Sequence, residues 1–331
     1  MKHGGDLTEA MARYGGAPRM WLDLSTGVNP WPWPIPVHLP ADIWQRLPSR
    51  ADEEALIAAA REAYAVPTGV AIVAAAGTQS LIQWLPHLAS GGPVAIVEPT
   101  YNEHAPAWRM AGHEVIARAD LGDLPPAVHH AVVVNPNNPD GRVTSRAALA
   151  RTAALLRERG GWLVVDEAFA DLEPDISAAG LCADLPVVVL RSFGKFYGLA
   201  GLRLGFAIAS PDIARRIALA LGPWACSGPA LNIGAAALRD REWAGRARLA
   251  IQREAGKVDA VLEAAGFTIV GGTGLFRLAR RPDAGKVHAS LAAQHIWCRR
   301  FEWAGDLLRF GLPPDERDLE RLAVALASAK A

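Results

Sequence analysis

Residues 187–206 read VVVLRSFGKFYGLAGLRLGF, in which two apolar runs typical of strands flank a turn rich in glycine and aromatic residues. Lys195 lies in that turn, with Ser192 three residues before it and Arg203 eight residues after it. A lysine amine held among apolar groups and near other cations stays nucleophilic. The stretch therefore predicts a lysine that reacts with a carbonyl compound.

Two kinds of ligand are compatible with the GK dipeptide in this turn. A single lysine is usually a solvated surface charge, but the Ser192 hydroxyl and the Arg203 guanidinium could both bind one phosphate. A phosphate beside a reactive lysine favours pyridoxal 5'-phosphate (PLP) as the cofactor. A nucleotide-binding P-loop is excluded because it needs a glycine five residues before Gly194, where the chain has Val189.

Composition narrows the possible functions. The chain has 331 residues, of which 51% are hydrophobic, and this is long enough for a large α/β domain and a smaller one. The formal net charge is zero and no basic run occurs, so no nucleic-acid partner is expected. Three widely separated cysteines and nine histidines without metal-ligand spacing predict a reducing cytoplasm and no metal site. Neither a signal peptide nor a membrane span is expected.

Further polar residues follow predicted strands. Residues 70–76 read as a buried strand, and Gly77, Thr78 and Gln79 follow it at the start of a helix. Backbone N–H groups at a helix start bind anions, although Thr78 or Ser80 could also be an ordinary helix cap. Tyr101 follows the next strand, residues 93–99, at the end where α/β sheets bind ligands. It could stack on a planar ring or simply pack on the core.

The third and fourth strands also end in candidate residues. Residues 131–135 lead into NPNNPDG, residues 135–141, a composition that makes a tight turn and offers Asn138 as a hydrogen-bond donor. Residues 162–169 form a strand that carries Asp166. A carboxylate facing a pyridine nitrogen keeps that nitrogen protonated, and the ring then accepts electrons. Two adjacent carboxylates also resemble the magnesium-binding strand of ATPases, which would require the missing P-loop.

These motifs occur in the order found in fold-type I PLP enzymes of the aspartate aminotransferase superfamily, and the chain resembles that superfamily over nearly its full length. Within it, HGG at residues 3–5, LDLSTGVNP at residues 22–30 and DEAF at residues 166–169 resemble the cobalamin-biosynthetic threonine-phosphate decarboxylases of the histidinol-phosphate aminotransferase group. Phe169 stands where related aminotransferases usually have a tyrosine. Leu47 and Pro48 stand where relatives often have a tyrosine that reaches the partner subunit.

The resemblance implies a role for each candidate residue. Lys195 would bind PLP covalently, Asp166 its ring nitrogen, Asn138 its phenolic oxygen, and Tyr101 would stack on its ring. The residues implied to bind the phosphate are Ser192, Arg203, Gly77, Thr78 and Gln79. Those implied to bind the substrate are His3, Gly5, Asn29, Arg299 and Arg309, with Arg300 as an alternative to Arg299.

The implied reaction is decarboxylation of O-phospho-L-threonine to (R)-1-amino-2-propanol O-2-phosphate for the cobalamin side chain. The alternatives are a histidinol-phosphate-type aminotransferase and a non-catalytic PLP-binding domain. Phosphoserine also remains open as a substrate, because a pocket distinguishes one methyl group by only about 1–3 kcal/mol. The resemblance also implies a homodimer.

The expected fold is α/β, with a mostly parallel central sheet sandwiched by helices and a second, smaller α+β domain. Residues 1–40 are predicted to pack on the small domain and the active site. Residues 41–228 form the predicted large PLP-binding domain. Residues 229–331 form the predicted long linking helix and small domain.

Overall fold

The computed structural model describes residues 4–36 and 39–329. Numbered along the chain, the strands are β1 Leu22–Leu24, β2 Ala71–Ala75, β3 Val94–Val97, β4 Val115–Arg118, β5 His130–Val134, β6 Leu163–Asp166, β7 Val187–Ser192, β8 Gly205–Ala209, β9 Thr268–Thr273, β10 Phe276–Arg280, β11 Ile296–Phe301 and β12 Ala304–Gly311.

The α-helices are α1 Thr8–Tyr14, α2 Asp42–Gln45, α3 Arg50–Ala63, α4 Thr78–Leu88, α5 His104–Met110, α6 Arg146–Glu158, α7 Phe193–Phe196, α8 Pro211–Leu221, α9 Gly228–Arg239, α10 Arg241–Ala264, α11 Ala284–Ala293 and α12 Glu316–Ser328. Short 3-10 helices occupy Pro18–Met20, Ala170–Leu172, Pro174–Ile176, Ala179–Ala183 and Ala200–Leu202. Within the described part of the chain, no helix is long and apolar enough to cross a membrane.

The chain divides into two compact units. The larger runs from Trp33 to Ala244, apart from residues 139–141, and the smaller contains those three residues together with the chain up to Pro32 and from Gly245 onward. The larger unit therefore includes α9 and extends beyond the boundary predicted between residues 228 and 229.

A seven-stranded sheet forms the centre of the larger unit, in the order β2-β8-β7-β6-β5-β3-β4. Strand β8 is antiparallel to both neighbours, and the other pairings are parallel. The inner strands β3, β5, β6 and β7 are buried along their whole length, as expected of parallel strands covered by helices. The predicted mostly parallel sheet is confirmed.

Strand register aligns the polar ends of these strands. Gly205, the first residue of β8, pairs with Ala75 at the end of β2 and with Ser192 at the end of β7. Asp166, the last residue of β6, pairs with Leu190 of β7. The carboxyl ends of the parallel strands and the amino end of β8 consequently meet at one edge of the sheet, where such folds bind ligands.

The main core lies on one face of this sheet. Trp108 of α5 is 1% exposed there and packs with Leu81 and Leu85 of α4 and with Ile217 of α8. On α3, Ser49 accepts a hydrogen bond from the backbone N–H of Asp52, and the Asp52 side chain bonds back to Ser49. This capping box starts the helix at Arg50.

The smaller unit contains a five-stranded sheet in the order β1-β11-β12-β10-β9. Strand β1 is parallel to β11, and the remaining pairs are antiparallel. Strand β1 has only three residues, too few to show a periodic pattern in the sequence. Together with the helices of this unit, the sheet makes the small α+β domain that was expected.

His130 in β5 is fully buried, and its hydrogen bonds fix its protonation state. Its Nε2 donates to the Ser90 carbonyl over 2.9 Å, and its Nδ1 accepts from the Trp162 backbone N–H over 3.1 Å, so the ring is neutral. Burial lowers the pKa of His130 to about 4. The unfolded chain binds this proton near pH 6.5 and the folded chain does not.

We expect the free energy of unfolding to fall as pH falls from about 6.5 to 4. In His130→Gln the amide can still donate to Ser90 but does not titrate. The slope of the free energy of unfolding against pH should therefore decrease by up to about 1.4 kcal/mol per pH unit. Urea denaturation across this window measures it, with exposed His87→Gln as the control for removal of an imidazole. An unchanged slope in His130→Gln would contradict the expectation.

Candidate active site

The edge where the strands end in the larger unit carries every predicted cofactor residue. The register places together the residues that follow or end strands β2, β3, β5, β6 and β7, and those that precede β8. They are Gly77, Thr78, Gln79, Tyr101, Asn138, Asp166, Ser192, Lys195 and Arg203.

An anion-binding feature lies at the start of α4. The helix begins after Gly77, which has φ +81° and caps it without any side-chain hydrogen bond, so neither Thr78 nor Ser80 is the cap considered above. A Cβ atom on Gly77 would lie 2.5 Å from Nη2 of Arg203. Glycine is therefore required, and it lets the guanidinium lie against the helix start. Helix N–H groups and a cation at one place fit a phosphate.

Asp166 is 3% exposed and is held by two hydrogen bonds. Its Oδ2 accepts from Nε2 of His104 over 2.9 Å, and its Oδ1 accepts from the Ala168 backbone N–H over 3.1 Å. A carboxylate has about four acceptor sites, so this one retains the capacity to accept from a protonated ring nitrogen. His104 was not identified from the sequence; its position three residues after Tyr101, at the start of α5, was the available signal.

We expect His104→Phe to lower turnover about tenfold, because a hydrogen bond to a charged group stabilises by about 1.5–3 kcal/mol. His104→Gln retains an N–H donor and should recover part of the loss. Steady-state kinetics on both variants measures the effect, and thermal unfolding controls for a loss of structure. Equal turnover in His104→Phe and the wild type would contradict a role in orienting Asp166.

Tyr101 is half-buried and belongs to a chain of side-chain hydrogen bonds. Its hydroxyl donates to Oε1 of Gln79 over 3.2 Å, and Nε2 of Gln79 donates to Oε2 of Glu103 over 3.1 Å. Burial, followed by the negative charges of Glu103 and Asp166, raises the pKa of Tyr101 to about 12. The hydroxyl is therefore a donor at neutral pH.

Lys195 is half-buried in α7, between aromatic residues that fix the turn. Phe193 and Phe196 are at most 1% exposed, and the ring of Tyr197 stacks on Phe193 with centroids 4.4 Å apart. Ser192, the last residue of β7, is buried next to this turn. The lysine thus lies among apolar groups at the same edge as the anion-binding helix start.

The asparagines of NPNNPDG have different environments. Asn135 accepts from the Thr144 backbone N–H over 2.8 Å, and Asn137 donates to the Pro99 carbonyl over 2.9 Å. These two side chains fix the turn, while Asn138 is half-buried at its tip. This arrangement is compatible with Asn138 as a cofactor ligand.

The neighbouring carboxylates Asp166 and Glu167 do not form a pair. Successive strand residues point to opposite faces, and Glu167 bonds Arg191 over 3.0 Å on the other face, where burial raises the pKa of its carboxyl. Glu167 also accepts from the Ser177 hydroxyl over 2.7 Å. Among the described residues no cluster with the composition of a metal site occurs.

The smaller unit contains the predicted substrate residues. Arg309 of β12 is 7% exposed, its Nη2 donates to the Ser25 carbonyl over 2.7 Å, and it pairs in register with Arg299 of β11. Burial, followed by the charge of Arg299, lowers the pKa of Arg309 to about 10, so Arg309 remains a cation at neutral pH. The backbone N–H of Gly5 donates to the Ser25 hydroxyl over 2.9 Å.

The other residues predicted to bind the substrate have different environments. Asn29 is 2% exposed, and its Oδ1 accepts from the Trp31 backbone N–H over 3.0 Å, which gives it a structural role in the turn. Arg300 is exposed. His3 lies outside the described residues.

The larger unit, an α/β domain, thus combines a half-buried lysine, a buried carboxylate and a helix start suited to an anion at one edge of its sheet. The chain belongs to the aminotransferase class I and II family, whose model matches residues 50–326. The family assignment made from the motifs is confirmed.

Individual relatives match over nearly the whole chain. The threonine-phosphate decarboxylase of Sinorhizobium sp. is 47% identical, with 98% of this chain and 97% of the relative covered. The threonine-phosphate decarboxylase of Pseudomonas aeruginosa is 42% identical, with 100% of this chain and 98% of the relative covered. The solved structure of L-threonine-O-3-phosphate decarboxylase from Porphyromonas gingivalis has a TM-score of 0.77 at 20% identity. The match covers 92% of this chain and 98% of that one, and it supports the fold.

Proposed function

We propose that this protein is a PLP-dependent carboxy-lyase that converts O-phospho-L-threonine to CO2 and (R)-1-amino-2-propanol O-2-phosphate, the precursor of the cobalamin aminopropanol side chain. The observation that carries the proposal is the 47% and 42% identity, over nearly full length, to two proteins named threonine-phosphate decarboxylase. Phe169 in place of a tyrosine agrees with the decarboxylases rather than with the related aminotransferases.

The larger unit offers candidate residues for the phosphate, the ring and the phenolic oxygen of the cofactor. The start of α4 with Arg203 and Ser192 would bind the phosphate, Tyr101 would stack on the ring and Asn138 would donate to the phenolic oxygen. When bound, PLP supplies an aldehyde for the substrate amine and a protonated ring that accepts the electron pair released at Cα.

Asp166 and Lys195 carry the proton chemistry. Asp166, oriented by His104, keeps a proton on the ring nitrogen, because a buried carboxylate stabilises a cation beside it. Lys195 would hold the cofactor aldehyde, and in its protonated form, when not bonded to the cofactor, it would donate a proton to Cα in place of the lost carboxyl group.

Anionic groups of the substrate require cations, and we assign them to Arg309 and Arg299. A planar guanidinium binds a carboxylate or phosphate through two parallel hydrogen bonds. These contacts would fix the orientation of the substrate and so determine which bond at Cα is cleaved. The orientation of the substrate distinguishes decarboxylation from amino transfer. Gly5 and Asn29 are proposed to shape the same substrate site.

Product analysis tests the proposal. Purified protein supplied with PLP and O-phospho-L-threonine should release CO2 in amounts equal to the aminopropanol phosphate formed. The parallel assay supplies histidinol phosphate and 2-oxoglutarate and measures glutamate. Glutamate formation without CO2 release would replace the proposed reaction with that of an aminotransferase.

The proposal includes a cytoplasmic homodimer, as the family resemblance implies. Trp44 and Leu47 are 65% and 64% exposed and offer apolar surface for a second copy of the chain. Light scattering on the purified protein should give twice the mass of one chain, and a monomer would contradict this part.

A further inference from the structure

We propose that Glu103 is a positioning residue that acts through Gln79 to hold Tyr101 against the cofactor ring. The inference rests on the proposed function in so far as that function requires PLP. It is carried by the chain of hydrogen bonds from the Tyr101 hydroxyl to Gln79 over 3.2 Å and from Gln79 to Glu103 over 3.1 Å.

The direction of these hydrogen bonds is set by Glu103. An ionised carboxylate only accepts, so the NH2 group of the Gln79 amide must face it. The carbonyl oxygen of that amide then faces Tyr101, and the hydroxyl must donate to it. Glu103→Gln removes the charge and keeps the shape. An amide at position 103 both donates and accepts, so the Gln79 amide could rotate by 180° and still form a hydrogen bond with it.

The network connects two parts of one ligand site. Gln79 lies in the first turn of α4, whose N–H groups are placed to bind the phosphate, whereas Tyr101 follows β3 and is placed to contact the ring. Gln79 and Tyr101 are 22 residues apart in sequence, and Gln79 and Glu103 are 24 apart. Ring and phosphate belong to one rigid ligand, so binding both requires a fixed spacing between these two segments.

Simple electrostatics predicts the opposite effect on binding. Glu103 adds negative charge near an anion-binding helix start, so its removal by itself should strengthen the binding of a phosphorylated ligand. If Glu103 holds Tyr101 in place, its removal should instead weaken the binding of PLP and leave the binding of inorganic phosphate no weaker. The sign of the change therefore separates the two effects.

The experiment is a double-mutant cycle on the full-length protein. Glu103→Gln and Gln79→Met should each weaken PLP binding about fivefold, the loss expected for one oriented hydrogen bond. They should also reduce the visible circular dichroism of the bound cofactor. In a Tyr101→Phe background, Glu103→Gln should not weaken PLP binding any further. Exposed Glu114→Gln is the control for the loss of one charge.

Three results would overturn the inference: wild-type PLP affinity in both single variants, an undiminished effect of Glu103→Gln in the Tyr101→Phe background, or an equal loss of affinity for inorganic phosphate. A wild-type chain that binds no PLP would overturn both this inference and the proposed function. Amino transfer without CO2 release, combined with a fivefold loss of PLP affinity in Glu103→Gln, would overturn the proposed reaction and support the inference.

Discussion

Lys195→Ala is expected to abolish the visible absorbance of the lysine-bound cofactor and to lower decarboxylation by on the order of a thousandfold or more. Alanine supplies neither the amine proposed to hold PLP nor the acid proposed to return a proton to Cα. Lys195 lies in the turn between β7 and β8 of the larger unit, whereas the other lysines among the described residues, Lys257 and Lys286, belong to the smaller unit. Spectra from 300 to 500 nm and CO2 release measure the two losses.

Two further variants make this test specific. Lys195→Arg keeps the positive charge but cannot form the bond, so it should fail in both assays. Lys286→Ala, on the exposed surface of α11, should behave as the wild type. A wild-type spectrum in Lys195→Ala would show that another group binds the cofactor.

Arg191→Met is expected to destabilise the folded protein by about 3–5 kcal/mol. The Arg191 guanidinium is buried between Glu167 and Asp171, at 3.0 Å and 2.9 Å, and lies 4.4 Å from the ring centroid of Tyr64. Removing the cation leaves two buried carboxylates whose charges repel each other. Urea denaturation at pH 7 measures the loss.

The matched control is Arg253→Met, which removes an arginine that is 68% exposed in its pair with Glu254. Exposed pairs contribute about 0–1 kcal/mol. If charge repulsion causes the loss in Arg191→Met, replacing Glu167 and Asp171 with Gln and Asn should restore part of the stability. Equal stability of the two arginine variants would contradict the buried network.

The strands that build the site could be predicted because they are short apolar runs bounded by Gly, Pro and Asn. Strand β4 was missed because Val115–Arg118 is only partly buried and shows no periodic pattern. The proposed cofactor residues could be located at one edge because most of them end or follow a strand, and parallel strands bring their carboxyl ends together. The contact between His104 and Asp166 joins residues 62 apart in sequence, and no local pattern indicates such a pairing.

The adjacent carboxylates Asp166 and Glu167 at the end of β6 also limit which changes the amino-acid sequence of this strand can tolerate. Asp166 faces His104 and Glu167 faces Arg191, on opposite sides of the sheet. A slip of one residue against β5 and β7 would exchange the two sides and place each acid in the other's surroundings. An insertion or deletion within this segment would therefore eliminate both the proposed cofactor contact of Asp166 and the ion pair of Glu167 at once.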